Sequence, residues 1–490
     1  MVLLRVGKDK EIKGSQSINR PREQTLSEIS RTNRQKTYYA AVDIGTTTLS
    51  IEIYDQDGSY IGGSAEDNAQ GTLGSDVMMR LMHVQEGRGE KLYHLIRDQI
   101  HRNIQQILSK SLTVTPISPS EINCHTEARE MAALRKITVV GNTVMCHLFL
   151  GKDTTGLRGA PFQAAYQGSY RLTGKELGWG DCPDVDITVL PGIAAHVGAD
   201  AAAVLAVENI GSLDKVQLAI DLGTNAEIIL NNHGKISVCS AAAGPAFEGR
   251  GISCGCRGGA GALGGVKMVR ANGNLILDVV PEETTGKLIP RGLCGSGFID
   301  AIAGLLENKL LESDGYLISG KEAKERGVCD AFVRRLEEDA NGEHRFILFD
   351  PEADKIPEAG QRPPRKIFIS QSDIRNFQLA KAAIQTGIAL LCERAGLKVD
   401  EIGQCSVAGV FGAFLHPENA KSCGLLPNLP PEKIKFVGNA AGRGAAQALF
   451  EPGFVSALEK RVKDVQHVEL AGQDDFQVQF MKHMKLCAWL

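Results

Sequence analysis

The 490 residues carry 54 Lys and Arg against 58 Asp and Glu, a net charge of -4, which supplies neither the basic surplus of a nucleic-acid-coating protein nor an acidic solvating tail. Hydrophobic residues make up 43% and aromatics only 5%, with 54 glycines, so the interior must be built from aliphatic and small side chains, which suits layered α/β better than a β-sandwich. The longest apolar stretch, from Leu190 to Val207, is broken by His196 and Asp200 and falls short of the roughly 18 residues a spanning helix needs, so no membrane is expected as a partner.

Residues 1–36 place Arg20, Arg22, Arg31 and Arg34 among Ser, Asn and Gln, without the apolar centre of a secretory signal, and are predicted to be a basic polar tail or linker in which Val2 to Val6 alone offers an edge strand. The twelve cysteines are scattered through apolar segments, as at Cys146, Cys239, Cys392 and Cys405, and read as reduced thiols of a cytoplasmic protein. A first domain is expected over 37–207. It opens with the apolar run Tyr38 to Val42, a Gly-Thr turn, the alternating strand Leu49, Ile51, Ile53, and a hairpin at Asp57-Gly58. Helices are predicted over 90–108 and 143–150.

The opening pattern recurs at the start of a second domain, expected over 208–450. Val216 to Ile220 is again an apolar run, Asp221-Leu222-Gly223-Thr224 makes the turn, and a hairpin falls at Asn232-His233-Gly234. Two such tetrapeptides in matching strand-turn-strand settings indicate a duplicated domain. Ser296 and Ser372 are placed at the starts of helices with stripes Ile299, Ile302, Leu306 and Phe377, Ile384, Leu391. The polar segment 314–366 reads as an insertion or lid-like loop, and 451–490 as a C-terminal segment packing back on the core.

A Gly-Thr turn between strands gathers backbone N–H groups and hydroxyls at one point, the donor array that nucleotide phosphates require. Gly45, Thr46, Thr47 and Thr48 form one such array; Gly223, Thr224 and Asn225 form the other. Asp43 and Asp221, each ending a preceding strand, are placed to hold Mg²⁺ through waters or to orient an attacking water. Further Gly-rich loops, with Gly295, Ser296 and Gly297, with Gly409, Phe411 and Gly412, and at Val437-Gly438-Asn439-Ala440, permit close approach of backbone to the rest of the nucleotide.

This order of motifs resembles the superfamily of actin, heat-shock ATPases and sugar kinases. A closer resemblance is to the ATPase domain of the reductive activators of corrinoid proteins, carried by Val42-Asp43-Ile44-Gly45-Thr46-Thr47-Thr48, Val140-Gly141-Asn142-Thr143-Val144-Met145, Leu190-Pro191-Gly192-Ile193-Ala194, Ala242-Ala243-Gly244-Pro245-Ala246-Phe247-Glu248-Gly249 and Gln378-Leu379-Ala380-Lys381-Ala382-Ala383-Ile384. It implies two duplicated actin-like ATPase (ribonuclease H-like) domains of α/β class, with ATP and Mg²⁺ in the cleft between them. By likeness to sugar kinases, Asp200 is the candidate water-orienting base, with Glu248 its competitor. Val410, where the family has small residues, is a departure in the adenosine loop.

The implied activity is ATP hydrolysis that promotes reductive reactivation of a corrinoid protein of a methyltransferase system. Relatives often carry an N-terminal ferredoxin module, whose cluster needs four closely spaced thiolates. Here the first cysteine is Cys124, so no iron-sulfur cluster is expected and a separate ferredoxin or flavodoxin is expected as electron donor. The exception is a subunit-bridging cluster on Cys254 and Cys256, a homodimer being among the possible assemblies. Two alternatives stay open on the residues alone: a small-molecule kinase acting on a sugar or acid, and a nucleotide-dependent actin-like assembly protein.

Overall fold

The computed structural model describes residues 2–6, 36–112, 130–212, 214–282, 285–354, 365–409, 415–473 and 475–489. Its frame is a pair of six-stranded sheets on one plan. In the first, Tyr38–Ile44 is central, with Thr48–Asp55 and Tyr60–Asp67 following it as an antiparallel meander on one side. On the other side Leu134–Gly141 and Asp186–Val189 run parallel, and Tyr170–Thr173 closes the edge antiparallel. In the second, Gln217–Leu222 is central, Ala226–Asn232 and Lys235–Ala241 form the meander, and Gln404–Ala408 and Ile434–Gly438 run parallel. This is the duplicated actin-like architecture of α/β class.

The residue pattern explains these placements. Ala40, Ala41, Val42 and Ile44 are all buried, because a central strand is covered on both faces and reads as a continuous apolar run. Leu49, Ile51 and Ile53 are buried in alternation with partly exposed neighbours, as befits a strand nearer the edge. The turn after Asn232 puts His233 and Gly234 at φ 48° and 90°, both in the left-handed region that a two-residue hairpin of matching twist requires.

Helices cover the sheets by their apolar stripes. Gly89–Leu112 buries Leu92, Ile96, Ile100 and Ile104 beneath the first meander, and Gln371–Ala395 buries Phe377, Ile384, Ile388 and Leu391 beneath the second. The latter helix is capped by Ser370, not Ser372: Ser370 and Asp373 form a reciprocal capping box, and the acid three residues on selects the cap. Likewise Cys294, not Ser296, precedes helix Gly295–Glu307, and Ser296 Oγ donates to the Gly264 carbonyl at 2.7 Å from within the first turn.

Two helices join the halves. Alanine-rich Ala199–Val207 touches strands of both sheets, and Ala440–Phe450, late in the chain, packs on it and on the central strands of the first sheet. Ala440, Ala441, Ala445 and Leu449 therefore belong to the first core although their sequence position groups them with the second domain. Further on, Gln466–His467 pairs with Lys235–Ala241, and Phe476–His483 lies on Gln371–Ala395.

Val2–Val6 forms the edge of a four-stranded sheet beside Asn274–Val279, with Arg5 ion-paired to Asp278. The described part of 314–366 is a packed insertion and not a lid-like loop. Strands Leu336–Glu338 and His344–Phe349 form a sheet there with Ile367–Ser370, which follows the segment, and Phe332, Phe346 and Phe349 enter the second core. Residues 355–364 lie outside the described ones. Among the described residues, no helix is long and apolar enough to cross a membrane.

Candidate active site

Because the two central strands end at the same cleft, their turns face each other across a cavity of about 290 Å³. Thr47 and Thr224 touch, Oγ1 to Oγ1 at 2.6 Å, and Thr224 donates to Glu248 Oε1 at 2.8 Å. With its single proton committed to the carboxylate, Thr224 accepts from Thr47. Gly45, Thr46, Thr48, Gly223 and Asn225 line the same cavity, as do Asp43, Asp200, Asp221 and Glu248.

Gly295, Ser296 and Gly409 also line the cavity, and the N-terminus of Gly295–Glu307 turns its positive end toward the cleft. Gly297 does not line it. A Cβ there would stand 2.3 Å from the Leu263 carbonyl oxygen, and one at Gly295 would stand 1.8 Å from that of Phe247, so both glycines let the helix sit tightly on its neighbours. Phe411, Gly412 and Val410 lie outside the described residues.

The acidic groups share one deep pocket and resist ionisation together. Burial, then the charge of Asp200, pushes Asp43 up to about 7, against a hydrogen bond from Asn439. Burial takes Asp200 to about 6, although backbone N–H groups at the start of its helix pull the other way. Asp221 rises to about 8 through burial, then Asp200, Asp43 and Glu248. Glu248 is raised by burial and eased by the hydroxyls of Thr224 and Thr47.

Sequence reasoning missed Glu227. It pairs with Asp221 across the meander, is 5% exposed, and is raised well above its ordinary value by burial and then by Asp200 and Asp221. Its signal was an acid inside the otherwise apolar run Ala226 to Leu230. Asn142 and Asn439 were also missed as individuals. Both line the cleft while capping helices, accepting from Val144 N at 2.9 Å and Gly442 N at 2.7 Å.

Five crowded carboxyl groups are an oxygen-rich setting suited to a hard divalent cation such as Mg²⁺. Among the described residues their ligand atoms form no trio within 4.8 Å; the trio that does is His101, Asp181 and Cys182, where His101 and Asp181 are already paired at 2.7 Å. At the mouth, Arg257 crosses between the halves, donating to Thr48 Oγ1 at 2.8 Å and pairing with Asp67 at 2.8 Å, and Arg250 joins the same carboxylate.

The model of the C-terminal domain of RACo, the ASKHA domain, matches residues 215–488, and that of the RACo middle region matches residues 38–212. The chain belongs to the RACo family. The corrinoid activation enzyme RamQ of Eubacterium limosum is 34% identical over 453 residues, covering 91% of this chain and 69% of RamQ. A [Co(II) methylated amine-specific corrinoid protein] reductase of Methanosarcina barkeri is 26% identical over 308 residues, 59% of this chain and 50% of the relative. The solved structure of a reductive activator for a corrinoid, iron-sulfur protein matches with TM-score 0.80 at 28% identity, over 94% of this chain and 67% of that one.

Not every segment that carries the RACo resemblance reaches the cleft. Gln378 donates to the carbonyls of Asp314 and Met484 at 2.8 and 2.9 Å, and Lys381 bonds Gln385 and the Lys485 carbonyl, so this helix fastens the C-terminal segment of the RACo fold. Cys256 lines the cleft, whereas Cys254 is buried and accepts from Phe368 N; neither joins a trio of metal-ligating side chains among the described residues.

Proposed function

We propose that this chain binds and hydrolyses Mg²⁺-ATP in the cleft and thereby drives the reductive reactivation of a corrinoid protein of a methyltransferase system, with electrons from a separate ferredoxin or flavodoxin. The observation that carries the reading is the contact between Thr47 and Thr224 in the cavity that Asp43, Asp200 and Asp221 also line, which supports a single ligand shared by both halves. Family membership and the activities named for RamQ and the M. barkeri reductase support the partner class.

In this reading Gly45 to Thr48 and Gly223 to Asn225 bind the β- and γ-phosphates, and Gly295, Ser296, Gly409, Phe411 and Gly412 border the adenosine. A polyphosphate between Thr47 and Thr224 replaces their direct hydrogen bond, so bound nucleotide sets the separation of the two halves. Mg²⁺, held through waters by Asp43 and Asp221, supplies charge neutralisation on the phosphates. Asp200 orients the attacking water, with Glu248 and Glu227 holding the surrounding hydrogen bonds. Nucleotide state then shifts affinity for the corrinoid partner, which is the coupling that an uphill electron transfer requires.

The test is ATP hydrolysis by the purified chain with and without a corrinoid protein from the same source, followed together with the cobalt spectrum in the presence of reduced ferredoxin. Stimulated hydrolysis with loss of the Co(II) band is expected. Hydrolysis that needs a sugar or acid instead, or cobalt reduction that ignores ATP, contradicts the proposal. Iron and sulfide analysis checks the electron path, since stoichiometric cluster iron in this chain removes the need for a separate donor.

A further inference from the structure

The short helix Val77–His83 carries an arginine whose side chain is wholly inside the protein: Arg80 is 0% exposed. Its guanidinium donates to the carbonyls of Gly74 at 3.0 Å and Thr46 at 2.5 Å, and to Gln70 Oε1 at 3.2 Å. Among the described residues no carboxylate pairs with it. Burial draws the group down to about 10, with Asp76 opposing and Arg250 assisting, so it stays charged at neutral pH. A buried cation without a counter-ion is costly, and a fold tolerates it where something else neutralises it.

Thr46 is the middle of the first phosphate turn, and its carbonyl shares a peptide unit with the N–H of Thr47. A cation on that carbonyl polarises the unit and strengthens the N–H as a donor. Neither Thr46 nor Thr47 N–H finds a backbone acceptor among the described residues. Among the described residues no cation bonds a carbonyl of the second turn; Thr224 donates to Glu248 instead.

We infer that Arg80 is a positioning residue of the nucleotide site, a buried positive charge behind the first turn whose counter-ion is the polyphosphate of the bound nucleotide. This rests on the nucleotide reading proposed above and assigns its phosphate affinity to a side chain that never touches the ligand. The field acts on phosphate and not on the base or sugar, so adenosine binding is indifferent to Arg80. Loss of the charge weakens Mg²⁺-ATP by about tenfold or more.

Calorimetric titration of the full chain with Mg²⁺-ATP and with adenosine, on wild type, Arg80→Met and Arg80→Lys, tests this. The expected result is an ATP dissociation constant raised about tenfold or more in Arg80→Met, adenosine affinity unchanged, and most of the ATP loss recovered in Arg80→Lys. Equal losses for ATP and adenosine, or wild-type ATP affinity in Arg80→Met, overturns the inference. If Arg80→Met does not fold, Arg80→Lys decides. It keeps the charge but cannot span both carbonyls, so ATP affinity within about threefold of wild type supports the inference, and a collapse overturns it. A wild-type chain that binds no nucleotide fails the nucleotide reading itself, which is a different outcome from variants that bind like wild type.

Discussion

The two turns that meet in the cleft have the same strand-turn-strand design and opposite surroundings. Behind Gly45 to Thr48 stands the buried guanidinium of Arg80, with Asn68 Nδ2 donating to the Gly45 carbonyl at 2.8 Å. Around Gly223 to Asn225 stand Glu248, bonded to Thr224, and Glu227, paired with Asp221. Both halves bring carboxyl groups to the cleft, Asp43 and Asp200 from the first and Asp221, Glu227 and Glu248 from the second, and the difference between the turns is the cation behind the first and the carboxylate bonded to the second. Threonine hydroxyls suit both settings because they donate or accept as the neighbour demands.

The largest expected effect is on the carboxyl groups that the two halves bring to the cleft. Asp221→Asn should lower ATP turnover by about 100-fold or more, because it removes charge that steadies the cation while keeping shape, and nucleotide affinity should fall far less. Asp200→Asn should do the same if it orients the water. Retained turnover in Asp200→Asn moves that role to Glu248 or Asp43, and steady-state phosphate release reads both.

Next comes the contact between the halves. Thr47→Val and Thr224→Val each remove a hydroxyl that turns to phosphate when nucleotide binds, the Thr224 proton then leaving Glu248, and together should weaken Mg²⁺-ATP by about 10- to 100-fold, at roughly one hydrogen bond to a charged group each. Wild-type affinity in the double variant would sink the shared-ligand reading.

The pH dependence bears on what the halves share. Folding raises Asp200, Asp43 and Asp221 to about 6, 7 and 8, so the fold favours their protonated forms. Their contribution to stability is full below the ordinary carboxylate range near pH 4 and is lost as pH climbs through those values. Mg²⁺ competes with these protons. The Mg²⁺-induced rise in melting temperature should therefore be small near pH 5.5 and about twice as large or more near pH 8.5, and an effect independent of pH would contradict the assignment of these carboxylates to the cation.

The smallest effect belongs to the ion pairs at the mouth. Asp67 is 59% and Arg257 35% exposed, so Asp67→Asn should change stability by less than about 1 kcal/mol, with the difference fading in high salt. A larger loss would mean that the mouth and not the floor holds the halves together.

Much of this was legible in the sequence because it depends on local pattern. The meanders, both turns and the long helix stripes follow from apolar period and turn residues, and Asp43 and Asp221 announce themselves by ending equivalent strands. What the pattern withheld is long-range. Arg80 sits on a short helix whose exposed Met78, Met79 and Met82 give no stripe, and only the fold brings its side chain under Thr46. Ala440–Phe450 crosses to the first core because small residues there fit against Ala199–Val207, which no window of sequence around it reveals. Glu227 stood in plain view, as an acid inside a buried strand costs too much to be incidental.

The division of labour between the turns is tested most directly by comparing Arg80→Met with Glu248→Gln in one assay of ATP affinity and turnover. The account predicts a split: Arg80→Met raises the ATP dissociation constant with kcat little changed, and Glu248→Gln lowers kcat with affinity little changed. The same kinetic signature in both variants would contradict it.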